Sequence, residues 1–152
     1  MSTPDASLDF RVPSQPNLSR VVRAAVSDFA RGHGVGADDL THFLTALGEA
    51  LANAIEHSQT DLPIDIEVRI GGGSIHATVR DSGIGFSSER GIDVALPDPD
   101  AERGRGLPIM RRCCDIFSVE SAPGRGTSVR IGRYLRARAV AGVATSDPHH
   151  AA

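Results

Sequence analysis

Four short segments typical of binding loops follow one another along this chain of 152 residues. The first is a helical segment, Glu49–His57, and the other three are glycine-containing turns, Asp81–Gly85, Gly104–Leu107 and Gly124–Thr127. Glycine adopts backbone angles closed to other residues and lets a ligand approach the main chain. The order predicts a site built from one helix face and three tight turns, and only a few architectures bring such parts together.

Hydrophobic periodicity places these segments on an ordered set of helices and strands. Helical spacing of apolar residues indicates three helices, at about residues 18–31, 37–57 and 107–116. Alternation of apolar and polar residues indicates five strands, at residues 8–12, 64–70, 75–79, 117–121 and 127–131. Most strands are adjacent in sequence, so we predict an α+β fold: a two-layer sandwich with a mixed, mostly antiparallel sheet covered on one face by about three helices.

The two ends of the chain lack this periodicity. We predict one domain at residues 8–136, with disordered segments at residues 1–7 and 137–152. Residues 86–103 hold prolines and acids without periodicity, and so long a connection in a compact domain is usually functional or mobile. No apolar run approaches the ~18 residues that cross a bilayer, and the polar first residues are not a secretory signal. We therefore expect a soluble, cytoplasmic protein without membrane contact.

All 16 basic residues of the chain are arginines, and none is a lysine. A Walker A phosphate loop needs the lysine of its GK[ST] core, and pyridoxal chemistry needs a Schiff-base lysine. Both are therefore excluded. The net charge of −3 argues against direct binding of nucleic acid.

Glu49, Asn53 and His57 recur every four residues and therefore share one face of their helix. The amide oxygen of Asn53 is a suitable ligand for Mg²⁺, whose remaining positions phosphate and water complete. A carboxylate one turn away suits a general base that accepts a proton from an attacking hydroxyl. A solvated helix face explains the same triplet, and this segment alone does not separate the two interpretations.

Each glycine turn has a binding interpretation and a purely local one. Asp81 follows a strand, where its carboxylate suits an exocyclic amine such as that of adenine, but Asp-Ser-Gly also favours a β-turn. Gly104–Leu107 opens a helix whose backbone N–H groups suit a phosphate, with Arg105 adding charge, although glycine-rich helix entries also occur without ligands. Gly124–Thr127 is also explained by a hairpin loop. Together, in this order, the segments favour a site for a nucleoside triphosphate.

In this combination the chain resembles the GHKL superfamily of ATP-binding domains, that of gyrase, Hsp90, histidine kinases and MutL, over about residues 8–135. The four segments are similar to its N box, G1 box, G2 box and last glycine box, the last at Gly126–Thr127. Within the superfamily, Glu49–His57 and Arg103–Arg111 are similar to the stand-alone anti-sigma factor serine kinases of the RsbW and SpoIIAB type. The resemblance implies a Bergerat-type sandwich with an ATP lid at about residues 86–103.

The resemblance also implies a role for each residue of the boxes. Glu49 would be the catalytic base, and Asn53 would hold Mg²⁺. Asp81 would bind the adenine amino group with help from Thr127, and His57 would lie beside the base. The glycine turns would supply the remaining ATP contacts, those to the base from Gly83 and Gly85 and those to the phosphates from Gly104, Arg105, Gly106 and Leu107.

The function implied is that of an ATP-dependent serine-protein kinase and anti-sigma factor in bacterial partner switching. Such a protein phosphorylates a STAS-domain anti-anti-sigma partner, sequesters a sigma factor while nucleotide is bound, and is commonly a homodimer. One alternative is a nucleotide-gated binding module without kinase activity, against which the presence of Glu49 argues. A histidine-kinase-like domain acting in trans, or a GHKL ATPase that drives clamp closure, are further alternatives. The proline- and aspartate-rich lid departs from the family pattern.

Overall fold

The computed structural model of this chain describes residues 5–57, 60–85 and 106–136. Three helices lie in these ranges: α1 (Leu18–Gly32), α2 (Ala37–His57) and α3 (Gly106–Cys113). Five strands form one sheet: β1 (Ala6–Val12), β2 (Ile64–Gly71), β3 (Ser74–Asp81), β4 (Ile116–Ser121) and β5 (Thr127–Tyr134). In the described part of the chain, no helix is both long enough and apolar enough to span a membrane.

The strands are arranged in the order β1-β2-β3-β5-β4, and every pair is antiparallel. The predicted α+β sandwich is confirmed, but these strands form no parallel pair, so the sheet is antiparallel rather than mixed in the part described. The reason is the position of β5. A tight hairpin joins β5 to β4, and β5 then lies between β4 and β3, antiparallel to both.

Two predicted boundaries need correction, and two predicted segments lie beyond the described residues. β1 begins at Ala6 and pairs with β2 from there, so residues 6 and 7 belong to a strand and not to a disordered N-terminus. α3 ends at Cys113 rather than at Ile116, because the backbone N–H of Asp115 donates to the carbonyl of Gly132 (2.8 Å) and the chain joins the sheet. The predicted lid and C-terminal tail lie outside the described residues.

The hydrophobic core lies between α2 and one face of the sheet. Phe43, Leu47 and Leu51 of α2 are at most 1% exposed, as are Ile66 and Ile75 of the strands opposite. Burying side chains of this size contributes roughly 1.5–3 kcal/mol each, so this layer supplies much of the stability. The apolar stripe of α2 therefore faces the sheet.

The first turn of α2 is fixed by a buried ion pair. Asp39 Oδ1 accepts hydrogen bonds from Arg133 Nη2 (2.9 Å) and Nε (3.2 Å), and Oδ2 accepts one from the backbone N–H of Arg136 (3.0 Å). The side chains of Asp39 and Arg133 are 4% and 11% exposed. Arg133 Nη1 also donates to the carbonyl of Cys113, the last residue of α3 (2.9 Å). One guanidinium thus joins β5, the start of α2 and the end of α3.

Candidate functional site

Asp81 and Thr127 face each other at one end of the sheet. Asp81 is the last residue of β3 and pairs with Thr127, the first residue of β5. The backbone N–H of Gly83 donates to Asp81 Oδ1 (2.9 Å), and the backbone N–H of Thr127 also donates to this carboxylate. The carboxylate is therefore held in place by main-chain groups on both sides.

The turn after β3 and the turn between β4 and β5 are pressed against each other. Gly85 has φ +67°, and a Cβ there would lie 2.1 Å from the carbonyl oxygen of Ala122. Gly126 has φ +77°, and a Cβ there would lie 2.1 Å from the carbonyl oxygen of Asp81. The backbone N–H of Gly124 donates to the carbonyl of Ile84 (2.7 Å). Only glycine fits at positions 85 and 126, because both the backbone angle and the close contact exclude a side chain.

Two opposing effects determine the pKa of Asp81. Burial raises the pKa of this half-buried carboxyl, and the hydrogen bonds from Gly83 and Thr127, together with the charge of His57, lower it; the net pKa is raised. α2 packs against β3, and the charge of His57, the last residue of α2, acts on Asp81, the last residue of β3. The helix segment and the first glycine turn predicted from sequence therefore meet in space.

The predicted helix face is present on α2. Glu49, Asn53 and His57 are all half-buried and spaced one turn apart. The side chains of Glu49 and Asn53 form no hydrogen bond or ion pair with another of the described residues, so within those ranges the acid and the amide are available to a ligand. His57 is the last residue of the helix, and its Nε2 lies 3.9 Å from Glu56 Oε2.

The third segment lies only partly within the described residues. Gly106 and Leu107 open α3, so this segment leads into a helix as expected, while Gly104 and Arg105 lie outside the described ranges. α3 packs against α2, and its last residue is tied by Arg133 to the first turn of that helix. The end of α3 therefore lies beside the first turn of α2. The phosphate-binding role of all four residues stays a prediction.

Ser121 is a residue of this site that the sequence reasoning missed. It is the last residue of β4 and pairs with Thr127 across the hairpin. Its Oγ lies 2.8 Å from Thr127 Oγ1 and donates to the carbonyl of Gly126 (3.1 Å). The signal was present, because the two predicted strands that flank the turn place residues 121 and 127 opposite each other.

A cleft of about 500 Å³ opens at this end of the sheet. Its lining includes both charged and uncharged polar residues, among them Asp81, Glu120, Ser121, Arg125 and Thr127. Ligand sites for small molecules commonly have volumes of about 300–1,000 Å³. The cleft thus has the size and the polar groups to hold a nucleobase and part of its sugar.

The chain matches a known family over most of its length. The model of the histidine kinase-like ATPase domain matches residues 12–133. The anti-sigma F factor of Geobacillus thermodenitrificans is 34% identical over 119 residues, which span 74% of this chain and 82% of that protein. The anti-sigma F factor of Bacillus subtilis is 30% identical over 119 residues, which again span 74% of this chain and 82% of that protein.

Solved structures with this fold are more distant in sequence. The RsbU and RsbW domains of a Mycobacterium tuberculosis protein superimpose with a TM-score of 0.66 at 22% identity, over 86% of this chain and 32% of that one. A chain of the SiaB–SiaC complex of Pseudomonas aeruginosa gives a TM-score of 0.62 at 11% identity, over 82% and 88% of the two chains. These likenesses concern the fold alone. From its sequence relatives and its matching domain, the chain belongs to the histidine kinase-like ATPase (GHKL) family, on the branch that includes the anti-sigma F factors.

Proposed function

We propose that this chain is an ATP-dependent serine-protein kinase and anti-sigma factor that acts in the cytoplasm in a bacterial partner-switching system. The observation that carries the proposal is the pairing of Asp81 with Thr127 at the end of the sheet, beside the cleft, with the charge of His57 of α2 acting on Asp81. Relatives named anti-sigma F factor at 30–34% identity support the regulatory part.

The chain's own residues would divide the work between α2, the end of the sheet and the segment that leads into α3. Asp81 accepts hydrogen bonds and fits the exocyclic amine of adenine, while the turns at Gly85 and Gly126 keep side chains away from it. Glu49, half-buried on α2, would accept the proton of an attacking serine hydroxyl. Gly104, Arg105, Gly106 and Leu107 would contact the phosphates through backbone N–H groups and one guanidinium.

The donors present fit a magnesium ion held mainly by its nucleotide. The described residues contain no cluster of three or more His, Cys, Asp or Glu that would hold a metal by itself. Mg²⁺ is usually bound through one or two protein oxygens plus phosphates and water, and the amide of Asn53 supplies one such oxygen. When bound, the ion neutralises charge on the transferred phosphate.

The proposed partners are proteins. A STAS-domain anti-anti-sigma factor would present the acceptor serine, a sigma factor would be sequestered, and a second copy of the chain would complete a homodimer. On α1, Val21 is 60% exposed and is followed by Arg23, also exposed, so part of this helix does not serve the core. This surface is a candidate for partner contact.

Affinity capture from the native cell, with and without ATP, followed by phosphosite mapping, tests the proposal. We expect a small co-purifying protein that gains a phosphoserine when the wild-type chain and Mg-ATP are present. Glu49→Gln should keep ATP binding and lose this transfer. Nucleotide binding with no transfer to any captured protein would instead favour the nucleotide-gated binding module, and a chain that binds no ATP would contradict the proposal.

A further inference from the structure

We propose that a cleft on the open face of the sheet, the face opposite the core, binds a phosphate group, with Arg130 as its main protein ligand. The cleft has a volume of about 360 Å³, and every residue that lines it is polar or charged. It is a second site beside the nucleotide cleft, and the inference does not depend on the proposed kinase activity.

The alternation of side chains along the strands builds this site. Buried apolar residues of β3, β4 and β5 face the core, and polar residues alternate with them. Because successive side chains of a strand point to opposite faces, the polar residues share the open face. Arg130 of β5 pairs with Thr78 of β3 on one side and with Ser118 of β4 on the other. One guanidinium is thus flanked by two hydroxyl groups on the neighbouring strands.

The three side chains of this row are not engaged within the described fold. Those of Thr78, Ser118 and Arg130 form no hydrogen bond or ion pair with another described residue. A guanidinium binds phosphate through two parallel N–H···O bonds, and each hydroxyl can donate one more. The row therefore supplies up to four donated hydrogen bonds to an oxyanion without breaking a contact of the described fold.

A second guanidinium lies within reach of the same ligand. Arg80 follows Thr78 on this face of β3 and pairs with Ser128, which precedes Arg130 on this face of β5. Diagonal neighbours of this kind are about 7–8 Å apart, a separation that two arginine side chains can close around one anion. Arg80 Nη1 lies 3.8 Å from Glu67 Oε2, too far for a hydrogen bond. Two guanidiniums suit a phosphate dianion better than a carboxylate.

His76, in the wall of the cleft, has an unsatisfied ring nitrogen. Its Nδ1 is shielded from solvent and has no hydrogen-bond partner among the described residues. Burial, followed by the positive charges of Arg130 and Arg69, lowers the pKa of His76, so the ring is neutral at pH 7. An unpaired polar atom in a native fold is commonly explained by a bound water or ion. His76 is thus a second, independent sign of a ligand in this cleft.

The charges around the cleft predict how its affinity responds to substitution. Glu67 is shared between Arg69 and Arg80, whereas Arg130 has no acidic partner in the described part of the chain. Glu120 also lines the cleft and forms no ion pair with a described residue. A bound anion is attracted by Arg130 and repelled by Glu120, so removal of the two charges should change the affinity in opposite directions.

NMR titration of the isotope-labelled chain with inorganic phosphate tests the inference. Ionic strength is held constant, and ADP is added in excess to fill the proposed nucleotide site. We expect saturable amide shifts that cluster around Thr78, Ser118 and Arg130. Arg130→Gln should weaken phosphate binding by about tenfold or more, the effect of one charge-assisted hydrogen bond. Glu120→Gln should strengthen it by about twofold, the effect of one charge at this distance in water.

Arg11→Gln is the matched control and should keep the wild-type affinity. Arg11 lies on the open face of β1, away from the cleft, and pairs there with Asp65. If Arg130→Gln lacks the dispersed spectrum of a folded protein, Arg130→Lys takes its place. Lysine keeps the charge without the planar fork, so the affinity should again fall.

Two further ligands identify the chemistry of the natural one. Acetate should bind more weakly than phosphate, and equal affinity would overturn the assignment to phosphate. Phenyl phosphate that binds as tightly as inorganic phosphate would identify a phosphate ester as the ligand, and binding of inorganic phosphate alone would identify the free ion.

Three results with inorganic phosphate would overturn the inference. They are shifts that do not saturate, an unchanged affinity in a folded Arg130 variant, and shifts confined to the start of α3. Failure of the wild-type chain to bind ADP would contradict the proposed function instead, and the phosphate titration would still test this site by itself.

Discussion

Arg133 Nη2 lies 2.9 Å from Asp39 Oδ1, so a residue near the end of β5 is ion-paired with a residue 94 positions earlier, in the first turn of α2. The pair is almost inaccessible to solvent. Because α2 carries Glu49 and Asn53, this contact helps to set the position of the helix that bears the proposed catalytic groups relative to the sheet that bears Asp81.

Breaking this pair from one side is expected to destabilise the fold strongly. Asp39→Ala leaves a buried guanidinium without its acceptor, and loss of one partner of a buried pair costs about 3–5 kcal/mol. Asp65→Ala is a matched control, because its pair with Arg11 is solvent-exposed and such pairs contribute about 0–1 kcal/mol. Urea unfolding of both variants measures the difference. Equal losses in the free energy of unfolding would mean that the buried pair stabilises the fold no more than the exposed pair does.

The carboxylate of Asp39 also makes the stability of the fold depend on pH. Burial by itself raises the pKa of Asp39, but hydrogen bonds from Arg136 and Arg133 and their positive charges outweigh it, so the net pKa lies below 3.8. An aspartate whose pKa is lowered on folding stabilises the folded state above its unfolded pKa, and this contribution is lost as the pH falls through the folded pKa. The free energy of unfolding should therefore decrease below about pH 4, the usual pKa of aspartate.

This acid dependence is checked with Asp39→Asn, measured from neutral pH downward. The variant should be less stable than the wild type at pH 7 and should show a shallower decrease towards low pH. Parallel curves for the two proteins would assign the acid sensitivity to other carboxylates.

Asp81 is expected to behave in the opposite way. Its pKa is raised by burial, so the charged form is disfavoured in the folded chain and lowers stability above the unfolded pKa. Asp81→Asn should leave the free energy of unfolding unchanged or higher at pH 7. It should nevertheless weaken ATP binding by at least about tenfold, since the amide replaces an ionic acceptor with a weaker one. Urea unfolding tests the expected stability, and titration calorimetry with ATP tests the expected affinity. A destabilised variant with normal ATP affinity would contradict both expectations.

Glycine at position 126 is expected to be far more important than glycine at position 124. Both have positive φ, at +77° and +75°, but a Cβ at 126 meets the Asp81 carbonyl whereas a Cβ at 124 meets nothing within 4 Å. Gly124→Ala should therefore cost only the left-handed conformation, about 1–2 kcal/mol. Gly126→Ala should also separate the two turns and abolish adenine-nucleotide binding. ADP titrations and thermal unfolding compare the variants, and equal behaviour would mean that the turn contact is dispensable.

Asn53→Ala should remove the magnesium-dependent part of ATP affinity and leave the rest. The amide is the proposed protein oxygen for the ion, so ATP should bind the variant equally with magnesium and with EDTA. Glu56→Gln is a control on the same helix, because that side chain is 66% exposed. A magnesium effect of wild-type size in Asn53→Ala would exclude this residue as the ligand.

Local patterns in the sequence predicted the elements of the fold, but contacts between distant residues were beyond them. The spacing of Glu49, Asn53 and His57 is a property of one helix, so periodicity located their common face. Asp39 also fits the first turn of a helix, where an acid favours the dipole, and nothing local distinguishes it from exposed Asp38. Its burial depends on Arg133, which only the folded chain brings near.

The relation between the strands was harder to predict for the same reason. Period-two patterns identify strands and their inward faces, and they predicted both hairpins. They do not determine which hairpin strand lies next to β3, and the insertion of β5 before β4 was therefore not predicted. That insertion places Thr127 beside Asp81 and brings Ser121 to the site.

The turns at Gly85 and Gly126 hold each other through main-chain contacts. We therefore expect the proposed base site at this end of the sheet to be formed independently of the residues proposed to contact the phosphates. Small aminopyrimidine or aminopurine fragments that lack any phosphate should bind there, which offers an entry point for inhibitors aimed at this chain.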